Sequence, residues 1–284
     1  MKKILVTGAH GQLGKKISDL LGEKYDLILT DRESLDITDK LKVHKVLKVK
    51  SPDIIIHAAA YTQVDKAEKD KVLARKINAT GTKNIAAAAV KYNIPLIYIS
   101  TDYVFNGNRG KPYKEADRTH PLSVYGQTKL DGEAHIAKIC KKYYIIRSSW
   151  IFGELPRGYQ GSNFVETILR LAKDKKTLTI VDDQVGSPTY TKDLVKVMEK
   201  FITKKSKYGI YHFSGRGEAS WFDFAKEIIR IKCKETRVLP IKTQEYPQAA
   251  QRPAYSYLDK TKIEKALDFK ARSWKAMLKE YLEK

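Results

Sequence analysis

The run Ile4-Leu5-Val6-Thr7-Gly8-Ala9-His10-Gly11-Gln12-Leu13-Gly14 decides the fold. Four apolar and β-branched residues read as a buried strand, and three glycines at GxxGxxG spacing follow without a break. Residues 12–21 continue as an amphipathic helix. Strand, glycine turn and helix in immediate succession open a βαβ unit. In such a unit Gly8 permits the tight turn, Gly11 lets backbone N–H groups approach an anion, and Gly14 lets the helix pack closely. The loop is therefore a candidate seat for the pyrophosphate of a dinucleotide, with Gln12 and Leu13 beside it at the helix N-terminus.

The same alternation repeats outward from this unit. Residues 27–30, 54–57, 96–100 and 144–148 are strand candidates, separated by helical patterns over 41–49, 72–92 and 124–141. Alternation of this kind implies parallel strands with helices on both faces. The expected fold class is α/β, a Rossmann-type doubly wound parallel sheet with a smaller C-terminal substrate-binding lobe. After Trp150 the rhythm changes to a loop with Pro156, Gly158 and Gly161, a helix over 164–173, a strand over 178–181 and a Gly-Ser-Pro turn at 186–188. We read 1–150 as an NAD(P)-binding domain, with 189–205 returning to it, and 151–284 as mainly the smaller lobe.

At 284 residues and 42% hydrophobic, the chain buries a sizeable core. Its formal net charge of +21 raises the question of a nucleic-acid partner. The lysines are spread along helix faces, as at Lys40, Lys42, Lys45, Lys48 and Lys50, and no nucleic-acid-binding motif accompanies them. They read as solvated surface, so no nucleic acid is expected as a partner, although a positive field would concentrate an anionic diphosphate. Met1-Lys2-Lys3 leads directly into the first strand, and no apolar run is long enough to span a bilayer. The expectations are no membrane partner and a cytoplasmic location. Cys140 and Cys233 support neither a disulfide framework nor a zinc site, and His10 and His57 have no second ligand at metal spacing.

Further cofactor contacts follow from the strand ends. Asp31-Arg32 closes the second strand, where a carboxylate would meet the adenosine ribose hydroxyls and a guanidinium would accept the 2′-phosphate of NADPH. NADPH and NADH are thus both candidates. Asp36-Ile37 covers the adenine or else begins a helix. Ala58-Ala59-Ala60 supplies small residues after the third strand, and Ile99 lies just inside the end of the fourth.

The candidate catalytic group is Tyr125-Gly126-Gln127-Thr128-Lys129, a phenol and an ammonium one turn apart on one helix face. A nearby positive charge favours ionisation of a phenol whose ordinary pKa is about 10. Thr101, at the end of the fourth strand in Ser100-Thr101-Asp102-Tyr103-Val104-Phe105, adds a hydroxyl where open α/β sheets bind their ligands.

These three motifs resemble the extended short-chain dehydrogenase/reductase superfamily. Asp102 to Phe105, the run Asp182 to Tyr190, and Gln251-Arg252-Pro253 ahead of Ser256 and Leu258-Asp259 narrow the resemblance to the dTDP-4-dehydrorhamnose reductase family. The motifs cover nearly the whole chain. The resemblance implies NAD(P)H-dependent reduction at C4 of dTDP-4-dehydro-6-deoxy-L-mannose to dTDP-L-rhamnose, with Tyr125 as proton donor, Thr101 orienting the ketone, and Lys129 holding the ribose. It implies a sugar site at Val64, Thr101, Asp102, Tyr103, Trp150 and Asn163, a diphosphate contact at Arg252, and Asn78 as a support of the site backbone. It also implies Mg²⁺ held by glutamates at a homodimer contact, but no glutamates here match those positions.

One rival reading is disfavoured at this point and two stay open. Related 4,6-dehydratases carry a glutamate directly after the aspartate that follows the threonine, whereas this chain has Tyr103. A nucleotide-4-ketosugar reductase of different stereochemistry fits the same motifs. So does a non-catalytic NADP-binding subunit like the regulatory subunit of methionine adenosyltransferase.

Overall fold

The structure, a computed structural model, describes residues 1–159, 161–204, 206–232 and 235–284. The first half comprises β1 (Lys3–Thr7), α1 (Gln12–Leu21), β2 (Asp26–Thr30), α2 (Lys40–Lys50), β3 (Ile54–His57), α3 (Val64–Ala67), α4 (Lys71–Arg75), α5 (Thr82–Lys91), β4 (Leu96–Thr101), α6 (Val124–Ile139) and β5 (Tyr143–Ser148). There follow β6 (Ile151–Phe152), α7 (Phe164–Asp174), β7 (Thr177–Val181), β8 (Val185–Gly186), β9 (Thr189–Tyr190) and α8 (Thr191–Thr203). The chain ends with β10 (Gly209–His212), β11 (Ala219–Ser220), α9 (Trp221–Lys232), β12 (Arg237–Ile241), α10 (Thr261–Leu267) and α11 (Trp274–Leu282).

The main sheet is parallel, in the order β10-β5-β4-β3-β1-β2. Strand side chains alternate between its two faces. Ile4 and Val6 of β1, Ile97 and Ile99 of β4, and Tyr144 and Ile146 of β5 enter one core; Leu5, Leu96, Tyr98 and Ile145 enter the other. Burial on both faces is why these strands read as continuous apolar runs. β2 and β3 lie on opposite sides of β1, so a crevice opens where the order reverses, at the C-terminal ends of the strands.

Two elements depart from the expected pattern. The helix expected over 72–92 is divided into α4, a π-helical stretch at Lys76–Gly81 and α5. Such widened turns are rare single-turn insertions inside α-helices, frequent at functional sites, and no local sequence signal marks this one. The second departure is β10, which follows β6 to β9 in the chain and adds a sixth strand beside β5. α8 packs on α1, and three two-stranded pairings stand outside the main sheet, β6 with β9, β7 with β12 and β8 with β11. Cys140 is a buried free thiol whose Sγ meets the carbonyl of Ala86, while Cys233 lies outside the described residues. Among the described residues no helix is long and apolar enough to cross a membrane.

Candidate active site

A cleft of about 940 Å³ follows the C-terminal ends of β1, β3, β4 and β5. Gly8, Gly11, Gln12 and Leu13 line one part of it. Gly8 has φ +71°, and a Cβ there would lie 2.8 Å from the Ala59 backbone, so the loop meets the end of β3 only without a side chain. Ala58, Ala59 and Ala60 form the facing wall. Nearby, Asp31 Oδ1 accepts from Ser34 Oγ (2.6 Å) and Ser34 N (2.8 Å), while Oδ2 faces His10 Nδ1 at 2.9 Å. The Ser34 hydrogen bonds hold the Asp31 carboxyl below the usual carboxylate range. Arg32, Asp36 and Ile37 line the same end. His57, by contrast, is fully buried between Thr7 Oγ1 (2.7 Å) and Thr82 Oγ1 (3.0 Å), and burial lowers it to about 3. It is a neutral packing residue.

The triad converges on the floor of this cleft. Ser123 caps α6 by accepting from Gly126 N at 3.1 Å, and Glu68 Oε1 accepts from Val124 N at 2.8 Å; together they satisfy two donors at the helix start that have no partner within the helix. That start places Tyr125 and Lys129 on the cleft side. Lys129 Nζ donates to the Ile99 carbonyl at 2.7 Å and lies 4.1 Å from the Tyr98 ring centroid. Burial brings its ammonium down to about 7, against the pull of the Glu133 carboxylate. Burial also raises Tyr125 to about 12, while the Thr101 hydroxyl pulls the other way. The expected lowering of Tyr125 by Lys129 is not among the effects on this phenol: desolvation of the phenolate dominates, and the phenol keeps its proton.

Asn78 joins this floor to the neighbouring loop. Its Oδ1 accepts from Tyr61 N at 2.8 Å, and its Nδ2 donates to Thr128 Oγ1 at 3.0 Å. The π-helical stretch carries the side chain that makes both bonds. Beneath, Glu133 accepts from Ser100 Oγ at 2.5 Å and pairs with Arg147, so α6, β4 and β5 share one buried carboxylate.

Val64, Tyr103, Trp150 and Asn163 line the remaining wall. Tyr103 meets the Tyr125 ring edge-on, with centroids 5.9 Å apart. Trp150 adopts φ +46° and stacks on Trp221 with centroids 3.6 Å apart. Asn163 caps α7 through Glu166 N and donates to Gln12 Oε1 and to the Gly153 carbonyl, each at 2.9 Å. Asp102 borders the cleft, but its carboxylate turns inward to Thr101 and Ser256. Arg252 does not line the cleft: its guanidinium is held by Asp65, with Nη2–Oδ2 at 2.6 Å and Nη1–Oδ1 at 3.1 Å.

Trp221, Ser148, Tyr159 and Ser162 also border the cleft and were not singled out from the sequence. Ser148 follows the β5 apolar run, and its Oγ is buried without a hydrogen-bond partner among the described residues. Position at a strand end was the available signal for it. Trp221 opens a helix far along the chain, and only the fold reveals its stacking on Trp150.

Among the described residues no group of three or more His, Cys, Asp or Glu could hold a metal ion. Glu154 pairs with Lys16 at 2.8 Å and with Lys284; Glu280 pairs with Arg272 at 2.6 Å and with Lys192. Although burial works the other way, the lysines hold Glu154 at about 2. These glutamates are neutralised by cationic side chains, and the residues present do not fit Mg²⁺.

The family described as RmlD substrate binding domain matches residues 1–284. The chain is similar to a dTDP-4-dehydrorhamnose reductase of Aggregatibacter actinomycetemcomitans, 42% identical and covering 98% of each chain. It is 41% identical to the spore coat polysaccharide biosynthesis protein SpsK of Bacillus subtilis, over 100% of this chain and 98% of that protein. Among solved structures, a dTDP-4-dehydrorhamnose reductase of Bacillus anthracis in complex with NADP superposes with a TM-score of 0.93 at 42% identity, covering 99% of both chains.

Proposed function

The chain belongs to the family described as the RmlD substrate binding domain, and we propose from this that it is an NAD(P)H-dependent dTDP-4-dehydrorhamnose reductase. Its reaction is reduction of the C4 ketone of dTDP-4-dehydro-6-deoxy-L-mannose to dTDP-L-rhamnose. The observation that carries this reading is the convergence of Thr101, Tyr125 and Lys129 in the same cleft as the phosphate loop.

When bound, the reduced nicotinamide supplies the hydride. Gly8, Gly11, Gln12 and Leu13 would seat the pyrophosphate, Asp31 and Arg32 the adenosine ribose, and Asp36 and Ile37 the adenine side. Ala58 to Ala60 and Ile99, which line the same cleft, would border the middle of the cofactor. Tyr125, held protonated by burial, delivers its proton to the oxygen that becomes the C4 hydroxyl. Thr101 orients that oxygen, and Lys129 holds the ribose.

Val64, Tyr103, Trp150 and Asn163 would face the sugar. Arg252 would meet a substrate diphosphate through the N–H donors that Asp65 and the Ala250 carbonyl leave over. Tyr103 also separates this reading from dehydration. It offers no carboxylate for removing the C5 proton, and Asp102 beside it is engaged by two hydroxyls.

The deciding experiment mixes purified protein with NADPH and dTDP-4-dehydro-6-deoxy-L-mannose, follows nicotinamide oxidation by absorbance, and identifies the sugar product. The expected product is dTDP-L-rhamnose, and Tyr125→Phe is expected to bind NADPH but lose about 10²–10⁴-fold in rate. Intact cofactor binding with no oxidation by the wild type would favour the non-catalytic subunit. A C4 epimer as product would favour the reductase of different stereochemistry.

A further inference from the structure

Asp102 is 2% exposed, and its two oxygens meet two hydroxyls. Oδ1 accepts from Thr101 Oγ1 at 3.1 Å, and Oδ2 accepts from Ser256 Oγ at 2.6 Å. Ser256 is itself fixed to the smaller lobe, donating its backbone N–H to the Val185 carbonyl at 2.7 Å. A buried carboxyl beside the reacting centre is thus clamped from both lobes.

Thr101 has one hydrogen and two lone pairs. One lone pair receives the backbone N–H of Tyr103 at 3.2 Å. While the hydrogen goes to Asp102, Thr101 can accept a hydrogen bond from the cleft but cannot donate one. A ketone oxygen, and the alkoxide formed from it, can only accept. Protonation of Asp102 reverses the bond. Its Oδ1–H then donates to the second lone pair of Thr101, whose own hydrogen turns toward the cleft. In that arrangement Tyr103 N–H and Asp102 O–H donate to Thr101, and its own hydrogen is released toward the cleft, where the ketone oxygen and the Tyr125 phenol that Thr101 also meets both lie.

We propose that Asp102 is a positioning residue that works in its protonated form, making Thr101 a hydrogen-bond donor to the reacting oxygen, with Ser256 setting the proton affinity of Asp102. This rests on the reductase reading above. Burial supports it by raising the Asp102 carboxyl to about 7. Below that value Asp102 holds its proton and Thr101 donates; above it Asp102 ionises and the donor is lost. The other titratable and charged groups around it are Tyr103 in the same turn, Tyr125 and Lys129 on α6, and Arg252 behind Tyr103. Both phenols are raised by burial and Arg252 is raised by Asp65, so they do not titrate near neutrality. Lys129, also near 7, is the rival source of a neutral-range change.

The test is kcat against pH, from about 5.5 to about 9, with NADPH and dTDP-4-dehydro-6-deoxy-L-mannose. The wild type is expected to fall about a hundredfold across neutrality and then level off, as for loss of one donor to a developing oxyanion. Asp102→Asn, whose amide donates at every pH, is expected to lose the fall. Ser256→Ala removes a donor to the carboxylate and is expected to move the midpoint upward. NADPH dissociation constants within about twofold of wild type report intact folding in each variant. An active wild type with a flat profile overturns the Asp102 assignment alone, as does an unmoved midpoint in both variants, which would assign the fall to Lys129. A wild type that oxidises no NADPH removes the reductase reading and this inference together.

Discussion

Arg147 grips Glu133 through two nitrogens, Nη2 to Oε2 at 2.7 Å and Nε to Oε1 at 3.0 Å, in a pair 4% exposed or less on either side. Removing one partner strands a buried charge, whereas the intact pair adds little net stability. Arg147→Met should therefore lower unfolding stability by about 3–5 kcal/mol. Urea denaturation checks this, and Glu133→Gln with Arg147 left in place should also destabilise.

Lys129 makes the opposite kind of trade. Its pKa is lowered from 10.5 to about 7 by burial, so between those values the unfolded chain binds more protons and stability rises with pH. Lys129→Met should remove that slope and raise the melting temperature at neutral pH, while activity falls about 10²-fold or more. Melting curves at two pH values beside initial rates test both halves.

The phosphate loop and the strand ends were legible because each is local: glycine spacing, apolar runs and one-turn neighbours lie close together in the sequence. Tyr125, Lys129 and Thr101 were found that way, and the cleft brings all three together. Arg252 was named from the family resemblance alone, and its pairing with Asp65 was not legible, because Asp65 lies on α3 and no local pattern shows a carboxylate from so distant a segment. Trp221 escaped for the same reason. The electrostatic expectation for Tyr125 went the other way because a sequence shows neighbouring charge but not depth of burial, and depth decides here.

At the adenosine end, Arg32 stands beside a carboxylate already engaged by Ser34 and His10. Arg32→Ala should weaken NADPH binding about tenfold and leave NADH within about twofold, because only the 2′-phosphate gains a charge-assisted bond from the guanidinium. Asp31→Ala should penalise NADH more than NADPH. Fluorescence titration with both cofactors provides the check.

Gly186 lies under the Trp150 indole, where an added Cβ would sit 2.8 Å from Trp150 Cε2. Gly186→Ala should displace the indole from its stack on Trp221 and raise KM for the ketosugar about tenfold. NADPH affinity should not change, since the phosphate loop lies elsewhere in the cleft. Equal losses for sugar and cofactor would argue against Trp150 as a sugar wall.

The position of β10 bears on how the chain is made as well as on what it binds. Residues 209–212 complete the main sheet but leave the ribosome about sixty residues after β5, once β6 to β9 and α8 have been made, so β5 waits as an open edge during synthesis. A product cut near residue 150 would keep that edge, with its backbone donors and acceptors free to recruit strands from other chains. The first 150 residues are thus ill suited to release as a separate module. Maturation of the two walls becomes a single late event, and a prematurely terminated chain would tend toward aggregation rather than a half-active enzyme.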